Sequence, residues 1–214
     1  MVHLSGFFLV LTAQFTGGHL MAAYCFLFAF CLFAFSLHIR RAEKHLMKID
    51  GMLKNMGENF RKFAASFERR GVTPFRGAVW LFIGMGISFA VLPLNIASAS
   101  CAMLTVGDSL STLAGRKWGR HKISKSASVE GSATFFISAF AAGSVFIGPA
   151  AALIGAFTAT LAELLPKLPH GLVERLGKSD LLDDNWIVPL AAGAAMLASC
   201  ASLPCYGLLG FCKK

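Results

Sequence analysis

Asp108 is the residue best placed to do chemistry in this chain. It stands at the end of an apolar, small-residue stretch, Asn95 to Val106, within Gly107-Asp108-Ser109-Leu110-Ser111-Thr112-Leu113-Ala114-Gly115-Arg116-Lys117-Trp118-Gly119-Arg120-His121-Lys122. An ionisable residue at the end of a membrane helix is costly to place there and points to function. Gly107, Ser111, Gly115 and Gly119 recur every fourth residue. At helical pitch they make a small-residue ridge that lets a second helix or a ligand come close to the backbone. Asp108 shares a face with Ser111 and Thr112. The cations Arg116, Lys117, Arg120, Lys122 and Lys125 follow within a few turns. A metal–polyphosphate site needs this combination: an acid for Mg²⁺, glycines beside the phosphates and cations to neutralise them. The same residues also describe a plain interfacial helix end, with its cations on the cytoplasmic side.

The elements that must position these groups are membrane helices. Of the 214 residues, 56% are hydrophobic. Such a chain reads as an all-α, polytopic transmembrane bundle forming a single integral-membrane domain over residues 1–214. Its apolar runs are too long and too little alternating for barrel strands. The net charge of +9 falls in a few loops and points to anionic headgroups or a phosphorylated substrate. No aromatic–basic pattern for nucleic acid accompanies it. The six cysteines form no C-x-x-C pair and read as small buried hydrophobes, neither a disulfide framework nor a zinc site. The histidines show no ligand spacing.

Taken in order, apolar runs cover Leu4 to Thr16, His19 to Leu37, Phe75 to Leu92, Asn95 to Thr112, Ser132 to Ile147, Ala150 to Leu165 and Trp186 to Leu209. That makes about seven membrane helices, the first of them short. The first run has no basic leader or cleavage-like site, so it is not read as a signal peptide. Residues 38–74 are basic, with apolar residues at helical spacing, and read as a cytoplasmic amphipathic helix. Residues 113–131 read as a basic loop at the nucleotide site, and residues 166–185 as a further cytoplasmic loop. Placing the loops rich in Lys and Arg inside puts Asp108, Glu130, Glu163, Asp183 and Asp184 on one membrane face, with the cation cluster. Convergent acids and bases at one interface are how such sites are built. Asp183-Asp184-Asn185 also suits the cap of the last helix, and Glu130 and Glu163 also suit interfacial pairs with nearby cations.

Gly107-Asp108, Gly115, Gly119-Arg120, Lys122 and Glu130-Gly131 resemble the signature of the polyprenol/dolichol/phytol/diacylglycerol kinase family. Glu163, followed by Asp183-Asp184-Asn185 and Pro189, resembles the closing motif of that family. Residues 67–200 carry the resemblance. Two departures stand out. The family usually opens with Arg-Lys-x-x-His-x-x-Gly, and here Val2-His3-Leu4-Ser5-Gly6 is similar only to its second half. The expectation is a start internal to a longer protein, or a lost motif. Ala127 stands before Ser128 where the family tends to have Lys, and Lys125 is two positions earlier.

The resemblance implies an integral-membrane phosphotransferase on the cytoplasmic face. Such enzymes pass a phosphate from CTP, with Mg²⁺, to a membrane lipid alcohol: phytol, polyprenol or dolichol, or diacylglycerol. It implies metal ligands at Asp108, Glu130 and Asp184, and catalytic roles for Asp108, Asp183, Asp184 and Glu163. Gly107, Ser111, Gly115, Arg116, Lys117, Gly119, Arg120, Lys122, Lys125, Ser128, Glu130, Gly131 and Asn185 would bind the nucleotide. Similar motifs occur in phosphatidate cytidylyltransferases, so a CDP-lipid-forming enzyme is the nearest rival. A transporter or an inactive scaffold is the rival of another class, although no internal repeat favours transport.

Overall fold

A computed structural model describes residues 2–46, 75–124, 126–167 and 183–200. Among these residues the chain is all-helical, with seven α-helices: α1 Val2–Thr16, α2 Gly18–Leu46, α3 Arg76–Val91, α4 Leu94–Trp118, α5 Val129–Ser144, α6 Pro149–Leu164 and α7 Asp184–Ser199. A single 3₁₀ turn, Leu165–Lys167, extends α6. The breaks fall where the sequence has helix breakers. Gly17 takes φ +85 between α1 and α2, a conformation open to glycine at no steric cost. Pro93 separates α3 from α4, and Gly148-Pro149 starts α6.

Helix α4 is the axis of the bundle, and α1, α3, α5, α6 and α7 all pack on it. Residues Ile96 to Thr105 are buried without interruption. The run Ala97-Ser98-Ala99-Ser100-Cys101-Ala102 makes this possible, because small side chains let neighbours approach from every side. Its hydroxyls are satisfied locally: Ser100 donates to the Ala97 carbonyl at 3.1 Å and Thr105 to that of Cys101 at 3.0 Å. Gln14 of α1 donates to Ser98 Oγ at 2.6 Å and ties α1 to the axis. Met196 of α7 and Met103 of α4 fill the space left by Gly155 of α6, where a Cβ would stand 2.6 Å from Met196 Sδ and 3.0 Å from the Met103 methyl carbon.

Several boundaries differ from those read in the sequence. Helix α4 runs on to Trp118, so residues 113–118 of the expected nucleotide loop are helical. Gly115 is tolerated there because it packs on another helix, and the chain leaves the helix only at Gly119. Helix α5 starts at Val129, three residues before the expected span. Helix α2 continues past Leu37 to Leu46, into the polar segment. The rest of the expected amphipathic helix, residues 47–74, lies outside the described residues, as do most of the 166–185 loop and the end of the last apolar run. Cys25 and Cys101 are buried and free, but Cys31 is exposed and Cys200 is disulfide-bonded. The reading of the cysteines as small buried hydrophobes therefore fails for these last two.

Two stretches are long and apolar enough to cross a membrane: Gly18–His38, of 21 residues, and Pro149–Lys167, of 19. Helices α3, α5 and α7 have 16 residues each. At 1.5 Å per residue that is about 24 Å, below the ~30 Å of a hydrocarbon core. Membrane character is thus supported at two helices. Helix α2 leaves Phe26, Phe30 and Phe33 exposed along one face, while Phe28 and Phe35, on the other side, lie against the Phe82 and Phe75 rings.

Candidate functional site

One end of the bundle gathers the expected acids. Helix α4 descends to it, α5 leaves it, α6 returns to it and α7 leaves it again. Glu163 closes α6 and is only 5% exposed. Pro166 does not stop the chain from turning once more, and the 3₁₀ turn brings Lys167 back onto Glu163 at helical spacing. Lys167 Nζ pairs with Glu163 Oε1 and lies 3.5 Å from Asp184 Oδ2 in the first turn of α7. Asp108, half-buried on α4, acts through space on both Glu163 and Lys167. Glu163 Oε2 is buried and has no hydrogen-bond partner among the described residues. Asp108, Glu163 and Asp184 are therefore brought to one place, around a lysine that the motif reading missed. The signal for Lys167 was its spacing of four from Glu163, hidden because the apolar run Ala150 to Leu165 stops short of it and residues 166–185 read as a loop.

Asp183 is committed elsewhere. It is the N-cap of α7, accepting from the Asn185 amide at 3.0 Å and from Asn185 Nδ2 at 2.7 Å. Burial pushes its carboxyl above the ordinary range, while the Asn185 donors and the charge of Arg76 pull the other way. The cap reading of Asp183-Asp184-Asn185 thus holds for Asp183. Asn185 is buried, and its backbone meets α3 at Gly84. A Cβ at Gly84 would stand 2.6 Å from the Asn185 oxygen and 2.7 Å from Trp186 Cα.

The glycine ridge of α4 faces α5. A Cβ at Gly107 would stand 3.0 Å from the Phe135 ring, and one at Gly131 would stand 3.4 Å from the Ser111 oxygen and 3.5 Å from Gly115 Cα. Ser128 caps α5 by accepting from the Gly131 amide at 3.2 Å, and its Oγ also lines Gly115 and Gly119. Of the two approaches such a ridge allows, the one seen here is the helix. Gly107, Ser111, Gly115, Gly119, Ser128 and Gly131 build the α4–α5 contact. Ser128→Ala should lower stability by about 1 kcal/mol, the worth of an N-cap. A thermal melt that leaves the variant level with the parent chain would remove this role.

Between α4 and α5 the chain folds back on itself. Lys122 and Ser128 form an isolated bridge, and Ile123 and Ser124 donate to the Ala127 carbonyl. Glu130 closes this hairpin, accepting from the His121 amide at 3.1 Å and lying 2.7 Å from its Nδ1. The carboxyl of Glu130 is pulled down to about 2, first by its own backbone amide and then by the His121 ring. A depressed carboxylate contributes above its unfolded value of 4.5 and loses that contribution as pH falls towards 2. Exchange of the His121 amide should therefore accelerate across that window. An exchange rate that follows only the intrinsic pH dependence there would count against the clamp.

Arg116, Lys117, Arg120 and Lys122 are all exposed, and Lys117 Nζ sits 4.9 Å from the Trp118 ring centroid. Lys125 lies outside the described residues. Glu130, engaged by His121, is not among the acids that surround Lys167. Among the described residues, no three His, Cys, Asp or Glu side chains are close enough together to hold a metal ion. The donor chemistry still fits Mg²⁺, which takes one or two carboxylates and fills its remaining positions with water and phosphate. The buried, unpartnered Glu163 oxygen is the observation on which that fit rests. No family model, no curated protein and no solved structure matches this chain.

Proposed function

We propose that this chain is a multi-pass membrane kinase that moves the terminal phosphate of CTP to the hydroxyl of a lipid alcohol. The observation that carries the reading is the convergence of Asp108, Glu163 and Asp184 at one end of the bundle, where exposed Arg116, Arg120 and Lys122 also emerge. The motif resemblance supplies the reaction, and this arrangement supports it. In this reading all seven helices lie in the membrane, the short ones accommodated by local thinning, and the acid end faces the cytoplasm. Phosphoryl transfer asks the protein mainly to position its reactants and neutralise charge. Asp108 and Asp184, with the unpartnered oxygen of Glu163 beside them, would hold Mg²⁺, which would supply charge neutralisation for the transferring phosphate. The cations at the end of α4 hold the triphosphate. The acceptor hydroxyl reaches the site at headgroup depth while its tail stays among the helices.

Paired labelling tests the reading. Membranes carrying the chain receive CTP labelled in its terminal phosphate or in its base, with phytol, polyprenol and diacylglycerol. Terminal-phosphate label alone in the lipid fraction is expected, and the labelled lipid names the acceptor. Base label in lipid, when phosphorylated lipid is supplied, would make the chain a cytidylyltransferase. No label from either would end the enzymatic reading. Truncating Arg116, Arg120 or Lys122 to Ala should raise the CTP requirement roughly tenfold each, the worth of one charged hydrogen bond. The lipid requirement should stay where it was; an equal rise in both would argue against a triphosphate contact.

A further inference from the structure

The last turns of α4 carry two kinds of chemistry on opposite sides. Nine positions separate Asp108 from Lys117, about two and a half turns at 3.6 residues each, so the two side chains leave the helix in opposite directions. Lys117 shares its side with Leu113 and Leu110, four and seven positions earlier. Leu113 is 63% exposed and Leu110 39%, so an apolar stripe runs along the helix beneath the ammonium. The Lys117 ammonium rests 4.9 Å from the ring centroid of Trp118, which is itself 60% exposed. A tryptophan ring, apolar in its body and polar at one edge, settles where hydrocarbon meets headgroups. Depth agrees with this. Helix α4 has 25 residues and is about 38 Å long at 1.5 Å per residue. With Leu94 at the far face, it outruns a ~30 Å hydrocarbon core by about a turn, which puts Lys117 and Trp118 at headgroup level.

We propose that Lys117, Trp118 and the Leu110–Leu113 stripe seat an anionic phospholipid, with its headgroup phosphate on the Lys117 ammonium and its acyl chains along the two leucines. Charge complementarity selects the headgroup, since Lys117 lies among the exposed cations Arg116, Arg120 and Lys122. The leucines select a lipid over a soluble anion. A free triphosphate gains nothing from apolar side chains one and two turns below its charge, whereas a phospholipid has a part for each. Lys117, which the motif resemblance groups with the nucleotide cations, is thereby separated from them. Arg116, one position earlier, points about 100° away, towards the Asp108 side. A lipid held at Lys117 fixes the depth of the α4 end and of the hairpin that follows it. The inference rests on the membrane reading of the bundle and not on phosphate transfer.

The test reconstitutes the full chain into phosphatidylcholine vesicles with brominated acyl chains, carried either by phosphatidylglycerol or by phosphatidylcholine itself. The readout is the part of the tryptophan fluorescence that Trp118→Phe removes. Brominated phosphatidylglycerol should half-quench it at about a fivefold lower mole fraction than brominated phosphatidylcholine, the worth of one basic residue at an anionic surface. Lys117→Gln should bring the two quenching curves together while both lipids still quench. Lys117→Arg keeps the charge and should keep them apart, and Arg116→Gln should also leave them apart. Quenching by neither lipid would show that protein covers this face and would overturn the proposal. Equal quenching by both lipids in the parent chain would overturn it too, as would a preference that survives Lys117→Gln. A preference that Arg116→Gln removes as fully would mark diffuse charge and no seat, with the same result. Because the assay contains no CTP, loss of the kinase reading leaves this result standing, and the converse also holds.

Discussion

Asp108→Asn should abolish transfer of the terminal phosphate of CTP to lipid, by at least about a hundredfold. Metal coordination and the charge it neutralises contribute several kcal/mol to such a transition state, and each ~1.4 kcal/mol is tenfold in rate. The substitution keeps shape and removes only charge. Asp108 is half-buried on α4, three residues past the continuous core of Ile96 to Thr105, so the packing of that core is untouched. Membrane extraction and the melting profile should match those of the parent chain. Turnover close to the parent's in labelled CTP would remove Asp108 from the site, and with it the central claim of the kinase reading. A variant that melts early would instead show Asp108 to be structural.

The second large effect is expected far from any charge. Gly84→Ala places a methyl group 2.6 Å from the Asn185 oxygen and 2.7 Å from Trp186 Cα. Those atoms are backbone, with no rotamer to swing away, so α3 and α7 must separate. Overpacking of this kind costs about 1–3 kcal/mol. It also displaces the start of α7, which carries Asp183 as its cap and Asp184 beside Lys167. A shift of ~1 Å in a catalytic array can cost a hundredfold in rate. Gly84→Ala should therefore lower both the melting temperature and label transfer, the latter by at least about tenfold. Gly77→Ala is the control on the same helix, since its Cβ would meet Asn185 Nδ2 at an ordinary 3.8 Å. If the two variants behave alike, close packing at Gly84 does not position the acids.

The sequence carried the acids better than it carried what holds them. Asp108, Glu163 and Asp184 were each visible as carboxylates at the ends of apolar runs, and charge asymmetry alone put them on one face. The helix count followed from apolar length and from Gly17, Pro93 and Gly148-Pro149. The C-terminal reach of α4 was hidden, because Gly115 and a run of cations look like a loop. Only the partner surface of α5, with Gly131 and Ser128, makes that stretch worth keeping helical. The glycine ridge was ambiguous for the same reason: periodicity tells that something comes close, and not what. Lys167 was concealed because the apolar run stops at Leu165 and residues 166–185 read as a loop. Glu130 was placed among the metal ligands by the motif resemblance, and periodicity could not show that its carboxylate meets His121 nine residues earlier.

The pairing of Glu163 with Lys167 bears on how the chain is made. The two residues are four apart and belong to one continuous stretch, Pro149–Lys167. A ribosome delivers both well before it delivers Asp184. An unpaired carboxylate is a heavy burden for a segment leaving the translocon. Here the acid and its base close on each other within a single turn, so the segment can enter the bilayer as a neutral rod. Asp184 comes later in the chain, at the start of α7, and its carboxylate lies 3.5 Å from the lysine of that pair.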